Sequence, residues 1–165
     1  MVLTLCGLKV VSVMCLEIYS FLAEQLRKRK GILITGAVGL GLNTFLDELK
    51  SSLGKETKFY TLGGKEGLPK EDLELVLQRG VPRIVLVSGN SVLESLNCIL
   101  DAISTLPSTP TNTHEEQVMN AIDYVVTTRF MSDTKCIACE VYQVLGHITG
   151  SGFEVIPMFS TEVPL

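Results

Sequence analysis

The sequence predicts an α/β domain, with a mainly parallel sheet, helices on both faces and an antiparallel β-meander at the C-terminal end. Three observations predict it. Residues 31–50 read as strand, glycine-rich turn and helix. Arg83-Ile-Val-Leu-Val87 is a nearly continuous apolar run of the kind buried on both faces of a parallel sheet. After residue 122, three β-rich runs follow one another with only turns between them. The 165 residues are enough for one domain with its own core, and 1–165 is read as that single domain.

Residues 1–16 are strongly apolar and read as two short strands, Val2–Cys6 and Leu8–Met14, or as a strand and the start of a helix. They lack a basic leader, are broken by Gly7 and Lys9, and are shorter than the roughly 20 residues that span a bilayer, so packing on the core is expected. Leu16–Lys28 reads as a helix. Leu16, Tyr19, Leu22, Ala23 and Leu26 recur at helical spacing, with Glu17, Glu24, Gln25 and Arg27 opposite, and Gly31 is expected to stop it. Arg27-Lys28-Arg29-Lys30 is read as a solvated helix end whose cations oppose the negative pole of the dipole.

Ile32–Ile34 is the next strand, and Asn43–Lys50 a helix with Phe45, Leu46 and Leu49 inward and Gly54 as its C-cap. Lys58–Leu62 is a strand. Pro69–Gln78 is a helix with Leu73, Val76 and Leu77 inward, Pro69 in its first turn and Gly80 closing it. Arg83–Val87 ends in the turn Ser88-Gly89-Asn90, and Ser91–Thr105 is a helix burying Leu93, Leu96, Ile99, Leu100 and Ile103. Pro107–His114 is a polar loop and Glu115–Ala121 a short helix. The meander is Asp123–Phe130, Cys136–Leu145 and Phe153–Phe159.

Charge and cysteine usage narrow the function classes. The net charge of −4 gives no support for nucleic-acid binding. Five cysteines, an odd number scattered through apolar segments, fit a reduced cytoplasmic protein. Cys136 and Cys139 have C-x-x-C spacing, but residues three apart in a strand face opposite sides. With only His114 and His147 in the chain, no metal set and no Ser-His-Asp arrangement is read, and both histidines are expected at loop or strand ends.

Lys30–Leu46 carries the most specific signal. Gly36-x-x-x-x-Gly41, with Gly39 inside it, has P-loop spacing between a strand and a helix. Such glycines let backbone N–H groups converge on a phosphate at a helix N-terminus. A P-loop continues with Lys and then Ser or Thr; here Leu42 and Asn43 follow, and Thr44 comes one position late.

Three stretches make the chain resemble the nucleotide-binding domain of the secretion traffic ATPases, which power type II and type IV secretion and type IV and tight-adherence (Flp) pili. They are Leu16–Thr44, Asp72–Val87 and Asn120–Phe159. The last contains N-A-I-D-Y-V-V, Arg129, Ser132-Asp133, C-E-V-Y-Q-V-L-G and F-E-V-I-P-M-F. The resemblance implies a three-layer, RecA-like P-loop NTPase fold. It also exposes departures. The family's P-loop Lys and Thr fall on Leu42 and Asn43, its Glu-Asp pair on Gly63 and Gly64, its catalytic Glu on Ser88 (or Gly89), and a nearby Arg on Asn90. The family's histidine box and N-terminal domain have no counterpart.

Phosphoryl transfer to water needs charge neutralisation, a held Mg²⁺ and a polarised water. The Lys and the acids are missing together, so no catalytic residue is assigned. The reading is a non-catalytic, pseudo-ATPase component of a secretion or pilus-assembly machine. Its partner would be a homologous ATPase or another machine subunit, and it would meet a membrane only through that machine. No cofactor is required. ATP or ADP with Mg²⁺, held by Gly36, Gly39, Gly41, Leu42, Asn43 and Thr44, defines the alternative of a nucleotide-binding, weakly active ATPase. An NAD(P)-dependent oxidoreductase is a second alternative. Thr35-Gly36-x-x-Gly39-x-Gly41 is one residue short of the short-chain dehydrogenase turn, and Tyr124 lacks its Lys four residues on.

Overall fold

A computed structural model describes residues 17–36, 42–53, 55–62, 69–106, 113–133, 136–148 and 152–164. In chain order the elements are α1 (17–27), β1 (Gly31–Gly36), α2 (Leu42–Ser52), β2 (Lys58–Leu62), α3 (Lys70–Leu77), β3 (Arg83–Val87), α4 (Val92–Ile103), α5 (His114–Ala121), β4 (Tyr124–Met131), β5 (Cys136–Ile148) and β6 (Gly152–Pro164).

The six strands form one sheet in the order β2-β3-β1-β4-β5-β6. β2, β3, β1 and β4 are mutually parallel, and β4, β5 and β6 pair antiparallel. The fold is therefore α/β with a mixed sheet: the expected parallel part and meander are both present, and the antiparallel strands are its longest. Between β3 and β4 the described residues hold only α4 and α5 and no strand.

Two apolar clusters place the helices. Ile18, Leu22 and Leu26 of α1 and Phe45, Leu46 and Leu49 of α2 pack with Ile32, Ile34, Ile84 and Val126 on one face. Leu73 and Val76 of α3, Leu96, Ile99 and Ile103 of α4, and Val118 and Ala121 of α5 pack with Leu33, Val85 and Val125 on the other. Alternate residues of each strand thus serve opposite faces. The chain leaves β1 over β3 towards β2 through α2. It returns through α3 and then α4–α5 in the opposite direction. A single crossover hand requires those two directions to use opposite faces, as they do.

Several boundaries differ from the sequence reading. α1 ends before Gly31: Lys28 and Arg29 form a turn, with Arg29 in the left-handed region (φ 59°). Gly31 instead opens β1, where a Cβ would stand 1.8 Å from Ala121 O. Pro69 precedes α3 as its N-cap. Leu93, expected inside, is 44% exposed, because the buried stripe of α4 runs Val92, Ser95, Leu96, Ile99 and Ile103. α5 begins at His114, capped by Thr113 in a reciprocal box with Glu116, so His114 is a helix residue and not a loop one. β5 and β6 run 13 residues each, longer than expected, since each pairs the other far past the end of β4. Gly54 and the expected strands in residues 1–16 lie outside the described residues. No helix among those described is long and apolar enough to cross a membrane.

The amino end of the parallel strands is held by charge. Arg83 is 2% exposed. Its guanidinium donates to the carbonyls of Gln78, Val81 and, at 2.8 Å, Ala121, joining the C-terminal ends of α3 and α5. A cation there opposes both helix dipoles. Burial pulls the Arg83 pKa down, the Asp123 carboxylate and Tyr60 oppose that, and Nε has no acceptor. Asp123 accepts from Gly31 N at 2.9 Å and from Lys30 Nζ at 2.8 Å.

Candidate functional site

β1 and β3 are neighbours whose chains leave to opposite faces, β1 into α2 and β3 into α4. In open α/β sheets, ligands bind in the crevice outside the carboxyl ends of such a pair. Gly36 ends β1 at this point, and Ser88-Gly89-Asn90-Ser91 follows β3.

The crevice is filled by hydroxyl groups that bond to one another. Thr35 Oγ1 donates to Gly89 O at 3.3 Å. Ser95 Oγ lies 2.6 Å from Thr35 Oγ1 and 2.8 Å from Ser91 O, so its single proton is shared between them. Thr128 Oγ1 donates to Thr35 O at 3.1 Å. Ser95 is fully buried and Thr35 is 2% exposed. The glycines are required by this closeness. A Cβ at Gly36 would lie 2.1 Å from Thr128 Oγ1 and 2.6 Å from Thr128 O; one at Gly89 would lie 2.6 Å from Ser95 Oγ and 3.1 Å from Thr35 Oγ1.

A cavity of about 670 Å³ opens beside this joint, between the start of α4 and the β4–β6 strands. Gly36, Gly89 and Asn90 line it, together with Arg129, Glu140 and Tyr142. Its two nearby carboxylates are engaged. Glu94 accepts from Asn90 N at 3.0 Å, completing the α4 cap in which Ser91 Oγ accepts from Glu94 N. Glu140 accepts from the Tyr142 hydroxyl at 2.7 Å, and that bond raises the phenol pKa.

The sequence-derived residues divide between places. Leu42, at the P-loop Lys position, is half-buried at the start of α2 and packs against the α1–α2 cluster. Asn43 and Thr44 are exposed in the first turn of that helix. Ser88 is exposed after β3, and Asn90 is exposed with its amide taken by Glu94. Gly39, Gly41, Gly63 and Gly64 lie outside the described residues. Of the remaining candidates, the cavity brings together Gly36 and Asn90; Leu42, Asn43, Thr44 and Ser88 do not line it. Ser95 and Tyr142 were not singled out, and Thr35 only as the start of a dehydrogenase-like turn. Glu140 and Tyr142 sit two apart in a strand, a visible period-2 signal; the meeting of Thr35 with Ser95, 60 positions on, has none.

Among the described residues no three His, Cys, Asp or Glu side chains are grouped to hold a metal. Cys139 is buried in the α1–α2 cluster, and Cys98 is a half-buried thiol whose pKa burial raises.

No family model matches the sequence, and no curated protein matches it. Among solved structures, the chain is similar to the VirB11 ATPase of the Brucella suis type IV secretion system, crystallised in complex with sulphate, with a TM-score of 0.48 and 12% identity. The match covers 93% of this chain and 53% of that one, so the chain spans about half the length of that ATPase.

Proposed function

We propose that this chain is a non-catalytic, pseudo-ATPase component of a cytoplasmic secretion or pilus-assembly machine. It keeps a RecA-like P-loop architecture as an interaction or regulatory subunit for a homologous ATPase. The observation that carries the reading is Gly89. Where the resembling family places its water-polarising Glu, this chain has exposed Ser88 and then a glycine whose Cβ position is 2.6 Å from Ser95 Oγ. A side chain at Gly89 would meet the Ser95 and Thr35 hydroxyls, and at Ser88 the chain carries a hydroxyl in place of the acid. Leu42 adds to it, since the side chain at the P-loop Lys position packs on apolar residues. The tie to a secretion machine comes from the three resembling stretches of sequence. The test is ATP turnover of the full chain, alone and with a secretion ATPase ring. No turnover by the chain itself is expected, and none after Leu42→Lys with Asn43→Thr, because the acids are still missing. Turnover comparable to an active relative overturns the proposal.

A second reading, nucleotide binding without hydrolysis, is favoured by the exposure of Asn43 and Thr44 in the first turn of α2, where a helix dipole attracts phosphate. Calorimetry with ATP and Mg²⁺ tests it; the absence of heat, alone and with the ring, removes it.

A further inference from the structure

The last two strands carry features that the crevice does not use. The β5–β6 ladder slips twice. Val141 and Tyr142 are consecutive but pair with Phe159 and Pro157, which leaves Met158 over. Val155 and Glu154 are consecutive but pair with Val144 and Gly146, which leaves Leu145 over. A bulge of this kind re-aims a side chain. Both extra residues are large, apolar and exposed, Met158 at 45% and Leu145 at 51%. Ile156, 39% exposed, lies between the two slips, opposite Gln143. Its strand neighbour Val155 packs towards the α3–α5 cluster, so alternation turns Ile156 to the other face. Three exposed aliphatic side chains therefore share one stretch of the last two strands. Isolated surface apolar residues need no explanation, whereas a cluster built by two bulges marks an interaction site.

Charge selects the occupant. From Cys136 to Leu165 the sequence has three glutamates, Glu140, Glu154 and Glu162, and no Lys or Arg. Glu154 is exposed on the same side as Ile156, and its carboxylate lies 4.0 Å from where a Cβ of Gly146 would stand, next to Leu145. Glu154 is thus the charge at the patch, with no Lys or Arg in these two strands, so the face disfavours an anionic membrane and a second copy of itself and attracts a cation.

We propose that Leu145, Ile156 and Met158 form a docking face for a basic, apolar-faced segment of a partner protein, with Glu154 pairing its Lys or Arg. This names the face for the interaction role proposed above and rests on that reading. The two fail separately, since turnover tests one and binding at this face tests the other.

The experiment uses the full chain with labelled Ile, Leu and Met methyl groups. It is titrated with an amphipathic Leu/Lys helical peptide of about 18 residues and with its Leu/Glu counterpart. The methyl signals of Leu145, Ile156 and Met158 are expected to shift with the basic peptide only. Glu154→Lys is expected to weaken that binding about tenfold, or about 1.4 kcal/mol. Ile156→Gln, at an exposed position, is expected to weaken it with the fold intact. No shift at these methyls, or equal shifts with both peptides, overturns the proposal. So do concentration-dependent broadening of the same signals without peptide, which assigns the face to a second copy, and cross-peaks from residues 1–16 to them, which assign it to the chain's own N-terminal segment.

Discussion

The two ends of the parallel strands are built from different chemistry. At the amino end, charged side chains, Arg83 among them buried, are tied to backbone. Arg83 holds the last carbonyls of α3 and α5, and Asp123 holds Lys30 and the first amide of β1. At the carboxyl end, Thr35, Ser95 and Thr128 bond one another, and the close-packed residues are glycine and hydroxyl. Ligands of open α/β sheets bind at the carboxyl end. In this molecule the buried Arg83 at the other end joins helices, while at the carboxyl end hydroxyls and glycines close the β1–β3 joint beside a cavity lined by Arg129 and Glu140.

The comparison breaks or sharpens under substitution. The largest effect belongs to Arg83→Ala. It removes the donor from the interior Ala121 carbonyl and from the part-buried Gln78 and Val81 carbonyls, and should lower unfolding free energy by about 3–4 kcal/mol in urea. Arg83→Met, which fills the space without the charge, should lose about half as much; no loss in Met would show that the bonds to α3 and α5 contribute little. At the opposite end, Gly36→Ala drives a methyl into the Thr128 carbonyl of β4, which cannot retreat without moving the strand, and should cost about 2–3 kcal/mol.

Gly89→Ala meets only the hydroxyl ends of Ser95 and Thr35 and should cost about 1 kcal/mol. Ser95→Ala in the same chain should return part of that cost. If a double-mutant cycle finds the two changes additive, Ser95 does not close the crevice. The smallest effect belongs to Lys30→Met. The hydrogen bond to Asp123, and then its charge, raises the Lys30 pKa above the usual 10.5. Stability from the pair is therefore fully present below 10.5 and lost as pH rises through the higher folded-state value. Because Lys30 is 45% exposed, screening limits the term to about 0.5 kcal/mol. Denaturation at neutral pH should show that gap between wild type and Lys30→Met, and it should narrow above pH 10.5.

Much of the fold could be read from local pattern. The inward face of α2 was legible from helical spacing, and β2 and β3 from apolar runs between turns; on α1, Leu22, Ala23 and Leu26 were, but Gln25, read as outward, is buried, and Ile18, fully buried, was not on the expected stripe. α4 shows the limit. Leu93 and Val92 are equally apolar neighbours, and which one is buried depends on the rotation of the helix against Leu33 and Val85. At the site, the uncharged residues Leu42, Gly63, Gly64 and Ser88 were directly legible, since residue identity is all that such a reading needs. The closure was not. Thr35 was read only as the start of a glycine-rich turn and Ser95 fell within a helix with no role read for it, and each is explained by the other. Arg83 read as the polar start of a strand, although it is among the most buried large side chains in the protein.

By itself the sequence determined the element types, the two-faced helices, the meander and the absence of Lys after Gly41, because periodicity and residue identity act over a few positions. Tertiary structure alone decided that β3 lies beside β1, that Gly89 meets Ser95 and Thr35, that Arg83 reaches two helix ends, and that two slips in the last ladder turn Leu145 and Met158 outward. Those facts depend on strand order and register, which are set by the summed packing of distant segments and leave no mark at any one position.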